Sequence, residues 1–153
     1  MELLHRLVKH NCGDLVSVAR QVLAGEKRVL VPNVPDPILF RLVPKHNEKC
    51  KGFFMPGRIT VYTKGVERKR IIATLVHEMR HAQQLQILGR RTFYSFETGP
   101  QMCTPLEIDA KAAEIALRCE SPFKDIYQVC QPDTKRIIKA IEKVCRTHAR
   151  RIR

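Results

Sequence analysis

The chain has 153 residues, 44 % of them apolar and 28 % charged, which suits one folded domain, residues 1–153, with a modest core and argues against wholesale disorder. No apolar run is long enough to span a bilayer, and the opening MELLHRLVKHNCGD lacks the layout of a secretory signal, so a cytoplasmic protein without membrane contact is expected. The net charge of +13 excludes an acidic, polyanion-repelling surface and points to nucleic acid or an acidic protein as possible partners; a solvated basic surface accounts for it equally well.

Taken in chain order, Leu3, Leu4, Leu7 and Val8 have helical spacing, interrupted by Asn11 and Gly13. Asp14 is placed to cap a second helix carrying Leu15, Val18, Ala19, Val22 and Leu23, which Gly25 ends. Arg28 to Val31 and Ile38 to Val43 are rich in strand formers and flank the turn-rich VPNVPDP. In GFFMPGRITVYT, Pro56-Gly57 supplies a turn, and the alternation from Arg58 to Thr63 sets Ile59, Val61 and Thr63 on one face, Thr60 and Tyr62 on the other. These segments predict a small antiparallel sheet of three or four strands. Glu67 to about Leu88 reads as a long helix with Ile71, Leu75, Ala82 and Leu85 on one stripe and Gly89 at its end. After the loop TFYSFETGPQMC, a further helix begins at Thr104. A last one runs from about Asp133 to the end, with Ile137, Ile138, Ile141, Val144 and Cys145 inward and Arg136, Lys139, Lys143, Arg146 and Arg150 as a basic stripe. The expected architecture is α+β, the sheet packed against helices. The six cysteines include no C-x-x-C pair, so a four-cysteine zinc site is not signalled, and reduced thiols are expected.

The chemistry is concentrated in His77-Glu78-Met79-Arg80-His81, an H-E-x-x-H pattern inside the long helix. Residues four apart share one helix face, so the two imidazoles can converge on one metal ion. Glu78, about 100° round the helix, can address a water on that ion without ligating it, the place of a catalytic base. A third ligand is expected, and CTPLEIDAKAAEIA holds the candidates Glu107, Asp109 and Glu114. Thr104, Pro105 and Glu107 also fit a capped helix start, so Glu107 has a purely structural explanation as well. Spacing alone does not choose among the three.

H-E-x-x-H followed a loop later by a helix reading E-x-x-A, here Glu107 with Ala110, resembles the compact gluzincin metallopeptidases, or minigluzincins. It is most similar to the ImmA/IrrE type and to small peptidases of phages and mobile elements. The resemblance covers roughly residues 52–120. It implies a zincin-like fold with the motif on a central helix, Zn2+ held by His77, His81 and Glu107, and hydrolysis of peptide bonds in a specific protein or peptide substrate. It departs from the family at Lys111, where many gluzincins carry an acidic residue that supports a ligand histidine. Either that support comes from elsewhere or Asp109 is the ligand. Tyr94 is a candidate for oxyanion stabilisation, with ordinary packing the favoured reading, and Arg58 to Thr63 is either a sheet edge for the substrate or a strand already paired on both sides, the two readings standing equal. A Spartan-like, DNA-associated protease would need a third histidine, and downstream of His81 only His148 is present. The competing expectation from another class is a basic nucleic-acid-binding protein with a structural or vestigial zinc site.

Overall fold

A computed structural model describes residues 13–96, 104–114, 123 and 127–152. The element order is helix α1 (Gly13–Leu23), strands β1 (Arg28–Val29), β2 (Ile38–Val43), β3 (Gly52–Met55) and β4 (Arg58–Tyr62), then helices α2 (Arg68–Leu88), α3 (Arg90–Ser95), α4 (Pro105–Ala113) and α5 (Pro132–Ile152), with a 3-10 turn at Tyr127–Val129. The protein is therefore α+β, with five α-helices and one four-stranded sheet among the described residues. The amphipathic run at Leu3 to Val8, most of the loop before Thr104 and residues 115–122 lie outside the described residues. No helix among the described residues is long and apolar enough to cross a membrane.

The expected antiparallel sheet is corrected to a mixed one, of order β1-β2-β4-β3. Arg28 and Val29 pair antiparallel with Leu39 and Ile38, and β3 pairs antiparallel with β4. Between them β2 and β4 run parallel, in register from Leu39 opposite Arg58 to Val43 opposite Tyr62. Pro56 and Gly57, the latter at φ 79°, make the tight turn that joins β3 to β4. The eight residues between Val43 and Gly52 turn at Asn47, whose Oδ1 accepts from the Lys49 and Cys50 N–H groups, and a link of that length does not force β3 beside β2. β4 takes an interior place beside β2 and is the most buried strand: Ile59 and Val61 are fully buried, and Thr60 on the opposite face is buried too. As a result β4 is paired on both sides and offers no free edge, which decides for the paired reading of Arg58 to Thr63 over the edge reading. The margin of the sheet on that side is β3. Gly52 allows β3 to lie close: a Cβ there would stand 2.8 Å from the Thr60 carbonyl oxygen and 2.9 Å from the Thr74 methyl.

The main core joins Leu15, Val18, Ala19 and Val22 of α1 to Ile38, Phe40, Ile59 and Val61 of the sheet and to Ile72, Leu75, Val76 and Met79 of α2. A second cluster, Ile108, Ala112, Phe123, Cys130, Ile137 and Ile138, seats α5 on α4. Helix α2 contacts α1, β3, β4, α3 and α4. Its buried surface accordingly extends beyond one apolar stripe and includes Glu78, Arg80, Gln83 and Gln84. It ends at Gly89, φ 77°, whose N–H donates to the Leu85 carbonyl. On α5, Ile137 and Ile138 face inward while Arg136, Lys139 and Lys143 are exposed, as the spacing implied; the side chains of Ile141, Val144, Cys145, Arg146 and Arg150 lie outside the description.

Candidate metal centre

One helical turn separates His77 from His81 on α2, and their rings meet edge to face with centroids 4.9 Å apart. The facing residue comes from α4. Thr104 has an extended backbone and its Oγ1 accepts from the Glu107 N–H at 3.3 Å, with Pro105 at the first helical position. That cap fixes the first turn of α4, and the Glu107 side chain is left to cross to α2. Its Oε1 lies 2.8 Å from His77 Nε2 and its Oε2 3.2 Å from His81 Nε2. The capping explanation and the ligand explanation of Glu107 are thus compatible, since one uses its backbone and the other its carboxylate.

The far side of each ring decides what these contacts can be. His81 Nδ1 is 2.8 Å from Gln84 Oε1. The Gln84 amide cannot be turned round, because its Nε2 donates to the Leu106 carbonyl at 2.9 Å and to Asp109 Oδ2 at 2.7 Å. Its oxygen therefore faces His81, and Nδ1 must carry the proton. His77 Nδ1 lies 3.0 Å from Glu114 Oε2, another acceptor, which places a proton on that nitrogen too. Both neutral rings then aim an Nε2 lone pair at the Glu107 carboxylate. Three acceptor groups converge with no donor among them, an arrangement that a shared proton or a metal ion satisfies.

In the metal-free chain the cation is a proton. Burial would lower the pKa of His77, but hydrogen bonds to Glu107 and Glu114 and the negative charges of Glu107 and Glu78 outweigh it and raise the value to about 10. Burial acts to raise that of Glu107, but hydrogen bonds and charge from His77 and His81 hold it well below the usual carboxylate range. Glu78 is 8 % exposed; burial raises its pKa, against the pull of the two histidines. The two imidazoles and Glu107 each offer a ligand atom, all within 4.8 Å of one another. Ligands bonded at ~2.1 Å to one tetrahedral ion stand about 3.4 Å apart, so the spacing fits a metal of zinc size after small adjustments.

The other sequence candidates fall elsewhere. Asp109, the rival third ligand, is turned away from the histidines and 2 % exposed. It takes Arg80 Nε at 2.7 Å and Arg80 Nη2 at 3.3 Å. Glu114 stands behind His77 on the Nδ1 side, two helical turns beyond Glu107, and supplies the histidine support that Lys111 cannot. Tyr94 borders the cleft with its ring edge-on to Phe93, centroids 5.2 Å apart, as a packing aromatic. Sequence reading missed the supporting parts of Gln84 and Arg80; the only available signal was Gln84 at three residues from His81, a same-face helical spacing.

The site opens into a cleft of about 480 Å³. His77, Glu78, His81 and Glu107 line it together with Phe53 and Phe54 of β3, with Phe93, Phe96 and Leu106, and with Lys111; Phe54 meets Phe93 edge to face. No protein-family model, no curated protein and no solved structure matches the chain.

Proposed function

We propose that this protein is a zinc-dependent peptidase of the compact gluzincin kind, with His77, His81 and Glu107 as metal ligands and Glu78 as the general base. The observation that carries the reading is the convergence of two Nε2 lone pairs and one carboxylate, each ring held on its other nitrogen by Gln84 or Glu114. Two imidazoles and a carboxylate suit Zn2+, which when bound polarises a carbonyl and acidifies water. Three protein ligands leave a fourth position for solvent, the pattern of a catalytic rather than a structural zinc site.

The residues divide the work by position. Glu78 borders the same cleft as the ligands without contacting Glu107, and its burial favours keeping a proton once gained. It takes the proton from the attacking water and returns it to the leaving amine nitrogen as the C–N bond breaks. The aromatic walls exclude solvent around this transfer. An extended peptide would reach the cleft along β3, whose residues Gly52, Phe53 and Phe54 line it.

The test is direct. The zinc-loaded protein should cleave a peptide library or a protein panel, and Glu78→Gln should keep about one zinc per chain while losing cleavage. His77→Ala should drop the zinc content by elemental analysis. Undiminished cleavage by Glu78→Gln would remove the base from its role. Salt-sensitive nucleic-acid binding with no cleavage by the wild type would favour instead the alternative that the exposed Arg136, Lys139 and Lys143 support, a basic binding protein with a structural or vestigial zinc site.

A further inference from the structure

The cleft contains one cation that the metal reading does not use. Lys111 lies one helical turn beyond Glu107 on α4 and lines the same cleft. Two acids on its own helix, at four residues before and three after, are its natural partners. Both are engaged elsewhere: the Glu107 oxygens face His77 and His81, and Glu114 Oε2 faces His77. Among the described residues Lys111 has no hydrogen bond or ion pair. Several other polar groups around it have their own bonds. Thr104 Oγ1 caps α4, and the histidines, with Glu107, form the metal centre. Beside the aromatic side chains, Glu78, the Tyr94 hydroxyl and the Cys50 thiol, Lys111 is the one ammonium group among the described residues that line the cleft.

Given the peptidase reading, on which it rests, we propose that Lys111 receives a carboxylate of the substrate, so that the cleft selects peptides carrying a negative charge next to the bond that is cut. The dimensions agree. Four residues of helix separate the Glu107 and Lys111 backbones by about 6 Å. A carboxylate on the residue adjoining the scissile bond lies about 4–6 Å from that bond, and a charged N–H···O contact spans about 2.8 Å more. The carboxylate has two sources, the C-terminal α-carboxylate of a short peptide or an aspartate or glutamate side chain within a longer one. The half-buried setting beside apolar rings strengthens the pairing relative to open water.

Binding is measured by calorimetry on zinc-loaded Glu78→Gln protein, which separates recognition from turnover. The probes are N-acetyl-Phe-Leu as free acid and as amide, and N-acetyl-Phe-Glu-amide against N-acetyl-Phe-Gln-amide. One charged member should bind about tenfold more tightly than its neutral counterpart, and the pair that shows the difference identifies the source of the carboxylate. In Lys111→Met the ratio should fall to about one, in Lys111→Glu it should invert, and in Lys111→Arg it should persist. Equal binding of both pairs by the parent protein overturns the proposal. So does a preference that survives Lys111→Met, which would assign the carboxylate to the metal. Should the charged probes bind as expected while the protein with Glu78 intact cleaves nothing, Lys111 stands as an anion receptor and the peptidase reading alone fails.

Discussion

Arg80 and Asp109 are 1 % and 2 % exposed, and together they bolt α2 to α4. Asp109→Ala removes the acceptor of two bonds from Arg80 and one from the Gln84 amide. Gln84 keeps the Leu106 carbonyl and Arg80 keeps Gln83 Oε1, so the dominant loss is that of the Asp109 carboxylate from a buried guanidinium. Breaking such a pair from one side costs about 3–5 kcal/mol. For a chain of this size each kcal/mol moves the midpoint by about 2–4 °C, so Tm of the metal-free protein should fall by about 6–20 °C. Thermal and urea unfolding followed by circular dichroism measure it. The double variant Arg80→Met with Asp109→Leu should recover most of the loss, because two well-packed apolar groups replace a buried pair at little net expense. Single-variant losses that simply add, or an Asp109→Ala protein within about 1 kcal/mol of the parent, would refute the assignment of this pair as the helix-to-helix tie.

Three further outcomes are expected. The folded pKa of His77, about 10, stands above its ordinary value of 6.5. Its contribution to the stability of the metal-stripped protein is therefore complete below pH 6.5 and lost as the pH rises through about 10, which urea midpoints across that range would register and His77→Gln would flatten. Glu114→Ala should weaken zinc binding by about 10- to 100-fold in competition with a coloured chelator, and Glu114→Gln, whose amide oxygen still accepts from Nδ1, should restore part of it. Gly52→Ala should destabilise by about 1–3 kcal/mol, since its methyl meets the Thr60 carbonyl and the Thr74 methyl with no space to spare; an unchanged denaturation curve would mean β3 gives way freely.

Most local signals in the sequence hold, although Asp14, expected as a cap, lies inside α1 rather than before it. Gly89 closing α2, Thr104-Pro105 opening α4 and Pro56-Gly57 turning the hairpin each act through their own backbone, and each lies where the pattern put it. Strand order was not legible, because whether β4 neighbours β2 depends on competition among strands distant in the chain, and Thr60 is buried where alternation implies an outward face. The polar interior of α2 was invisible for a related reason. Arg80, Gln83 and Gln84 look like surface residues until Asp109, Leu106 and the Pro32 carbonyl are brought against them. At the candidate metal centre the pairing of the two histidines was legible from their spacing, and Glu107 entered through the resemblance. The choice of Glu107 over Asp109 needed the direction in which each carboxylate leaves α4, a matter of about 200° of helix rotation that only packing fixes.

His77 is grasped at both ring nitrogens by carboxylates of a single helix, Glu107 at one turn and Glu114 two turns on. A ring pinned at both poles cannot swivel independently of that helix. Sliding or tilting of α4 thus changes the aim of the metal-facing lone pair and the grip on its opposite nitrogen together. Were the proposed zinc bound there, its capture and the seating of α4 would be one thermodynamic quantity: whatever entered the cleft and leaned on α4 would be felt as a change in zinc affinity, and zinc in return would stiffen that wall.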